Sequence, residues 1–209
     1  MDLKNTRVLL TGAAGGIGSA VAARLLDKGA RLVALVRDEN ELHALRAQLR
    51  PSRFELLGVC ADLLNRAQRE AAVSQAQQLL GGVDVLINCA GMISFRPFAE
   101  EDPALLERIV QVNLGAPMAL IRQVLPTMLA ERRGRIVNVG STFGSIGFAW
   151  FAAYSASKFA LHGFNEALRR ELDGTSVRML YVAPRSTDTA MNDATARHVG
   201  REMGSATDD

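Results

Sequence analysis

The stretch RVLLTGAAGGIGSA, residues 7–20, changes character partway along. It opens as a short β-type run, RVLLT, and continues into a helical pattern that stops at Lys28 and Gly29, a basic last turn followed by glycine. Between the two lie Gly12, Gly16 and Gly18. The spacing differs from the common G-x-G-x-x-G, but the physics is shared. Glycines allow a tight turn, and open N–H groups at a helix N-terminus can receive a pyrophosphate. A turn that merely needs small residues is the competing reading, and glycines alone do not separate the two. Placement between a strand and a helix at the start of the chain favours phosphate binding.

Working outward, β-type runs alternate with helical patterns. The remaining strand candidates are RLVALV (31–36), FELLGVC (54–60), VDVLIN (83–88), RIVNVG (135–140) and VRMLYV (177–182). Several are continuously hydrophobic, as in a parallel sheet covered on both faces. Helices are expected over 39–49, ending before Pro51, and over 65–80, ending at Gly81 and Gly82. Asp102 and Pro103 make a cap and first-turn proline for a segment running to about Arg133, with Gly115, Pro117 and Pro126 expected to bend or interrupt it. A last long helix over 152–172 is stopped by Gly174. This alternation predicts an α/β, doubly wound parallel sheet, a Rossmann fold, with ligands at the carboxyl ends of its strands.

Composition bounds the partners. The 209 residues suit one domain, and 48% apolar with 22% charged residues is ordinary for a soluble globular protein. The net charge of +2 and the lack of a basic stripe with interleaved aromatics argue against nucleic acid. Cys60 and Cys89 read as free buried thiols, and His43, His162 and His198 show no metal-ligand spacing, so no metal is expected. No apolar run long enough for a bilayer and no signal-peptide pattern are evident, so no membrane partner is expected and the cytoplasm is the expected compartment.

Taken in order, the strand-end motifs resemble those of the short-chain dehydrogenase/reductase family. TGAAGGIG matches its T-G-x-x-x-G-I-G, including Ile17. CADLL places Asp62 and Leu63 at its adenine contact, and NCAG is similar to its Asn-Asn-Ala-Gly, with Asn88, Ala90 and Gly91 retained and Cys89 replacing an asparagine. VQVNLGAP supplies Asn113, IVNVGSTFG supplies Ser141, and YSASK supplies Tyr154 and Lys158. In VAPRSTDTAMN, Pro184 and Thr189 match a cofactor-contacting segment, while Arg185 replaces the usual glycine. Arg185 could face an anionic substrate, the cofactor or solvent.

The resemblance implies an NAD(P)-dependent oxidoreductase acting on CH–OH groups. Its cofactor contacts would be Gly12, Gly16, Ile17, Gly18, Asp62, Leu63, Asn88, Ala90, Gly91, Tyr154, Lys158, Pro184 and Thr189; its catalytic residues would be Asn113, Ser141, Tyr154 and Lys158. At the end of the second strand, Val36 stands where an acid would hold a free ribose 2′-hydroxyl, and Arg37 follows. A guanidinium there suits a 2′-phosphate, so NADP(H) is preferred. NAD(H) is the alternative, since Asp38 could hold a ribose and Arg37 could be a solvated loop residue.

Tyr154 and Lys158 stand four apart, hence on one helix face about 6 Å apart along the axis. Alone, the pair reads equally as packing; Ser141 at the end of the preceding strand reverses the odds. A phenol must fall about three units from its free pKa of about 10 to act near neutrality, roughly 4 kcal/mol. A cation at about 4 Å, in an effective dielectric of about 20, supplies that. Ser141 would orient a carbonyl. Asn113 would either anchor a proton-relaying water, as the resemblance implies, or satisfy backbone in a bent helix.

Met92, Ile93, Phe95, Phe143, Phe148, Trp150 and Phe151 suggest an apolar substrate pocket, or ordinary core. The expected substrate is a small ketone, aldehyde or secondary alcohol. The alternatives are a 3-oxoacyl-carrier-protein reductase, with Arg132, Arg133 and Arg135 as a docking patch, and a non-catalytic dinucleotide-binding regulator. Residues 1–190 are expected to form the cofactor-binding and catalytic domain. Residues 191–209 are expected to supply part of a lid but not the family's seventh strand. The resemblance also implies a homodimer or homotetramer.

Overall fold

The computed structural model describes residues 3–49 and 56–185. Strands β1 (Arg7–Thr11), β2 (Arg31–Val36), β3 (Leu57–Cys60), β4 (Val85–Asn88), β5 (Gly134–Val139) and β6 (Val177–Val182) form one parallel sheet in the order β3-β2-β1-β4-β5-β6. The chain leaves central β1 toward one edge through β2 and β3, then returns to build the other side from β4. A crevice therefore opens where β1 and β4 end side by side.

Helices α1 (Gly16–Asp27), α2 (Glu39–Gln48), α3 (Arg66–Leu80), α4 (Pro103–Val110), α5 (Ala116–Ala130) and α6 (Ala152–Glu171) cover both faces. Alternation along β1 assigns them. Val8 and Leu10 join Leu25 and Leu26 of α1 with Leu42 and Leu45 of α2. Leu9 between them joins Val73 and Leu80 of α3 with Leu120 and Val124 of α5. This is why the central strands read as unbroken apolar runs.

Boundaries shift slightly from expectation. β4 begins at Val85, because Asp84 before it is taken up by Arg7, whose backbone N–H and guanidinium both donate to the carboxylate. β5 starts at Gly134 and ends at Val139. Of the run expected over 54–60, Leu57–Cys60 is strand, and 54–55 lie outside the described residues.

Of the expected bends or interruptions at Gly115, Pro117 and Pro126, an irregularity appears at Gly115 as the end of a π turn, and the helix runs on through Pro117 and Pro126. Asp102 caps α4 by accepting from Ala104 N–H, and α4 passes into α5 through a π turn, Gln111–Gly115. There the Ala116 N–H reaches back to the Gln111 carbonyl, and Pro117, next in line, has no N–H to contribute. The wider turn accommodates Gly115 and the missing N–H of Pro117, while Pro126 lies inside α5. Pro103–Ala130 is thus one 28-residue helix, long and apolar enough by length and composition to cross a membrane, contrary to the expectation that no such run exists. Its inner face, with Ala116, Leu120, Ile121, Val124 and Met128, packs into the core.

Candidate active site

The glycine turn is built by close approach. Gly12 has φ +63°, and a Cβ there would lie 2.6 Å from the Ala90 Cα; a Cβ on Gly18 would lie 2.1 Å from the Gly12 carbonyl oxygen. Thr11 ties the two walls of the crevice, its hydroxyl accepting from the N–H groups of Cys89 and Ala90 at 3.1 Å each. α2, α3 and α4 are capped by Asp38, Asn65 and Asp102. By contrast, α1 follows Gly15 with no side-chain cap and no acid in its first turn. Its first N–H groups, next to the glycine turn, are thus left without a side-chain partner, which fits an anionic cofactor moiety.

At the carboxyl end of β2, Arg37 remains 76% exposed and pairs with Glu41, donating through Nε at 2.7 Å. Asp38 spends its carboxylate on the Glu41 N–H. Asp62 accepts from Leu64 N–H and donates its own N–H to Gln68, while the Leu63 carbonyl is held by Arg69. Cys60 donates to Glu39, and burial pushes its thiol up to about 11. Pro184 is half-buried and Arg185 exposed at the end of the described chain; Thr189 lies outside the described residues.

The expected catalytic side chains converge. Ser141 follows β5, its hydroxyl accepting from Phe143 N–H at 3.1 Å and lying near enough to the Tyr154 phenol to influence its ionisation. Lys158 lies on α6 with Nζ 5.7 Å from the Tyr154 ring centre. It is 4% exposed and donates to the Val139 carbonyl at 3.0 Å. Burial pulls the ammonium down to about 8, opposed by nearby Cys89. Burial also raises the phenol of Tyr154, and the Ser141 hydroxyl works against that rise. These side chains alone do not lower the phenol.

Asn113 sits fully buried in the π turn. Its Oδ1 accepts from Met92 N–H at 2.7 Å, and its Nδ2 donates to the Met92 carbonyl and to the Ser157 hydroxyl. Ser157 in turn donates to the Tyr154 carbonyl at 2.7 Å. The Asn113 side chain thus satisfies both backbone groups of Met92. Gly91 brings the groups together: a Cβ there would stand 3.5 Å from Asn113 Oδ1 and 3.7 Å from Lys158 Nζ.

Partners of the expected residues shape the site without a sequence signal of their own. Asn88 is buried and donates to Asn138, which donates to Asn165 of α6, a relay from β4 through β5 to the helix. Tyr181 of β6 places its hydroxyl 3.4 Å from both Ser141 N and the Lys158 carbonyl, and its ring stacks on His162. A Cβ on Gly140 would meet that ring at 2.0 Å. Only the register Asn138↔Tyr181, invisible in the sequence, brings them together.

Above Tyr154 an aromatic wall forms. Phe143 contacts Phe148, Phe151 and Tyr154, and Phe95 packs on Trp150 and Phe151. Arg96 N–H donates to the Trp150 carbonyl, joining the two loops. Met92 is held by Asn113, and Ile93 is half-buried nearby in sequence. Arg132, Arg133 and Arg135 instead lie at the start of β5, across the sheet from Ser141. There Arg133 pairs with Asp84 and Arg135 donates to the carbonyls of Gly134 and Ser176.

A family description, short chain dehydrogenase, matches residues 6–200. Ketoacyl reductase HetN of Nostoc sp. is 37% identical over 182 residues, 87% of this chain, and the chain spans 63% of that relative's length. A solved actinorhodin polyketide ketoreductase variant with NADPH superposes with TM-score 0.91 at 34% identity, covering 99% of this chain and 80% of that one. A metagenomic short-chain oxidoreductase in complex with NADP gives TM-score 0.83 at 33% identity, covering 95% and 91%. With the match running nearly end to end over the described fold, the chain belongs to the short-chain dehydrogenase family.

Proposed function

We propose that the protein is an NADP(H)-dependent oxidoreductase interconverting a ketone or aldehyde with a secondary or primary alcohol, with Tyr154 as general acid and base. The observation carrying this reading is the meeting of the Ser141 hydroxyl, the Tyr154 phenol and the buried Lys158 ammonium beside the glycine-lined crevice. Gly12, Gly16, Ile17 and Gly18 would hold the pyrophosphate, Asp62 and Leu63 the adenine side, and Asn88, Ala90 and Gly91 the crevice floor. Arg37 would hold a 2′-phosphate, in keeping with the NADPH and NADP carried by the two solved relatives.

When bound, the cofactor supplies hydride and, in its oxidised form, a positive ring. Ser141 donates to a carbonyl oxygen and fixes its position. Tyr154 gives its proton to that oxygen during reduction and removes it during oxidation. Lys158 stabilises the phenolate left behind, and its burial makes that charge effective. Asn113 keeps the Met92 segment and α6 in register. Residues 1–190 would carry all these roles, with 191–209 contributing a lid.

Tyr154→Phe should lower kcat/KM by about 10²–10⁴-fold, with NADPH affinity retained; full turnover by the variant would sink the assignment. Assays of NADPH oxidation against a ketone panel supply the readout. Similarity to ketoacyl reductases favours a second reading, reduction of a 3-oxoacyl group on a carrier. The arginines at the start of β5 lie away from this chain's own Ser141, so a carrier docked there would have to serve a neighbouring copy. Turnover confined to carrier-linked acyl groups would select that reading.

A further inference from the structure

We propose that the groove between α3 and α5 is an anion site that takes a small phosphate-bearing molecule on Arg69 and Arg122. A cavity of about 630 Å³ opens there, lined by Arg66, Arg69, Glu70, Ala119, Arg122 and Gln123. Its size is that of a small-molecule pocket. Arg66 is neutralised by Glu70 at 2.8 Å.

Arg69 is not neutralised. Only 7% of it is exposed, one guanidinium nitrogen donates to the Leu63 carbonyl, and its buried Nε has no hydrogen-bond partner. Among the described residues no carboxylate pairs with it. It occupies the inward face of α3 alongside Ala72, Val73, Ala76 and Leu80, where an aliphatic side chain would satisfy the packing. A buried guanidinium without a counter-charge is costly, so its presence calls for an anion. Arg122 lines the same cavity from α5, exposed and without an acidic partner among the described residues. Two uncompensated guanidinium groups match a dianionic phosphate in charge, and their planar forks match its oxygens in geometry. Ala119, with its small side chain, lines the same cavity.

Calorimetric titration and thermal unfolding with inorganic phosphate, against chloride at equal ionic strength, test the site. Phosphate also suits the α1 N-terminus and Arg37, so wild type is compared with Arg37→Ala, Arg69→Met and Arg122→Gln. None of these measurements needs turnover, so the result stands apart from the oxidoreductase reading. Wild type and Arg37→Ala should show a saturable rise in Tm, with phosphate affinity reduced about tenfold or more in Arg69→Met and Arg122→Gln. Without phosphate, Arg69→Met should melt no lower than wild type. The proposal is overturned if Arg69→Met and Arg122→Gln keep the full phosphate response, or if Arg37→Ala abolishes it. An absent response with a Tm that rises with protein concentration would assign the groove to a second copy and equally overturn it. Should Arg69→Met fail to fold, the exposed Arg122→Gln decides alone.

Discussion

At the scale of single residues, the side chains of this site are held by neighbours that compete for them. Glu41 holds the guanidinium of Arg37, the group assigned to a 2′-phosphate. An exposed ion pair of this kind contributes roughly 0–1 kcal/mol. Glu41→Gln should therefore tighten NADPH binding only about two- to fivefold, leaving NADH affinity unchanged; equilibrium fluorescence titration of both cofactors checks this. An equal gain for NADH would show that Glu41 does not act through the phosphate. Arg37 was legible in the sequence because a strand end is a local feature. Glu41 was not, since its claim on Arg37 depends on how α2 begins. Tyr154, Lys158 and Ser141 were legible through spacing and strand ends, whereas the rise of the Tyr154 phenol through burial needed the packed surroundings.

At the scale of elements, β6 supports the chemistry borne by β5 and α6. Tyr181 fills the space left by Gly140 and Gly144 and touches both the Ser141 backbone and the Lys158 carbonyl. Gly140→Ala would drive a methyl into the ring, and a forced shift of this sort costs about 1–3 kcal/mol. The expected outcome is lower stability in urea unfolding together with reduced kcat, and recovery of stability when Tyr181→Leu is added. An unaltered urea midpoint in Gly140→Ala would refute the packing account. Strand periodicity reveals that residue 181 alternates with its neighbours, but not which strand it meets. The prolines show the opposite limit: Pro117 and Pro126 are local signals, but whether the helix stops at them depends on the π turn and on the core contacts of α5, and here it runs on.

At the scale of the whole molecule, the amino ends of the strands are clamped by charge. Arg7 of β1 binds Asp84 before β4 and Glu131 after α5, while Arg133 joins the same Asp84. Burial pushes the Asp84 carboxyl up, but hydrogen bonds from Arg7 and the charge of Arg133 more than offset this, so its net shift is downward. A lowered folded pKa gives stability that is complete above the ordinary aspartate value of about 3.9 and lost as pH falls through the lower folded value. Asp84→Asn should thus be less stable at neutral pH and show a shallower fall of Tm with acid; parallel curves for variant and wild type would exclude the clamp. The doubly wound order was readable from strand–helix alternation, because hydrophobic runs report on burial from both sides. The ties between distant ends were not, because ion pairing leaves no periodic trace. At the opposite end, one threonine hydroxyl fastens the β1 turn to the segment after β4. The floor of the crevice is thereby tied, and an opening of its roof between the Phe95 and Trp150 loops would have to break the Arg96 N–H to Trp150 carbonyl bond and the ring contact that join them.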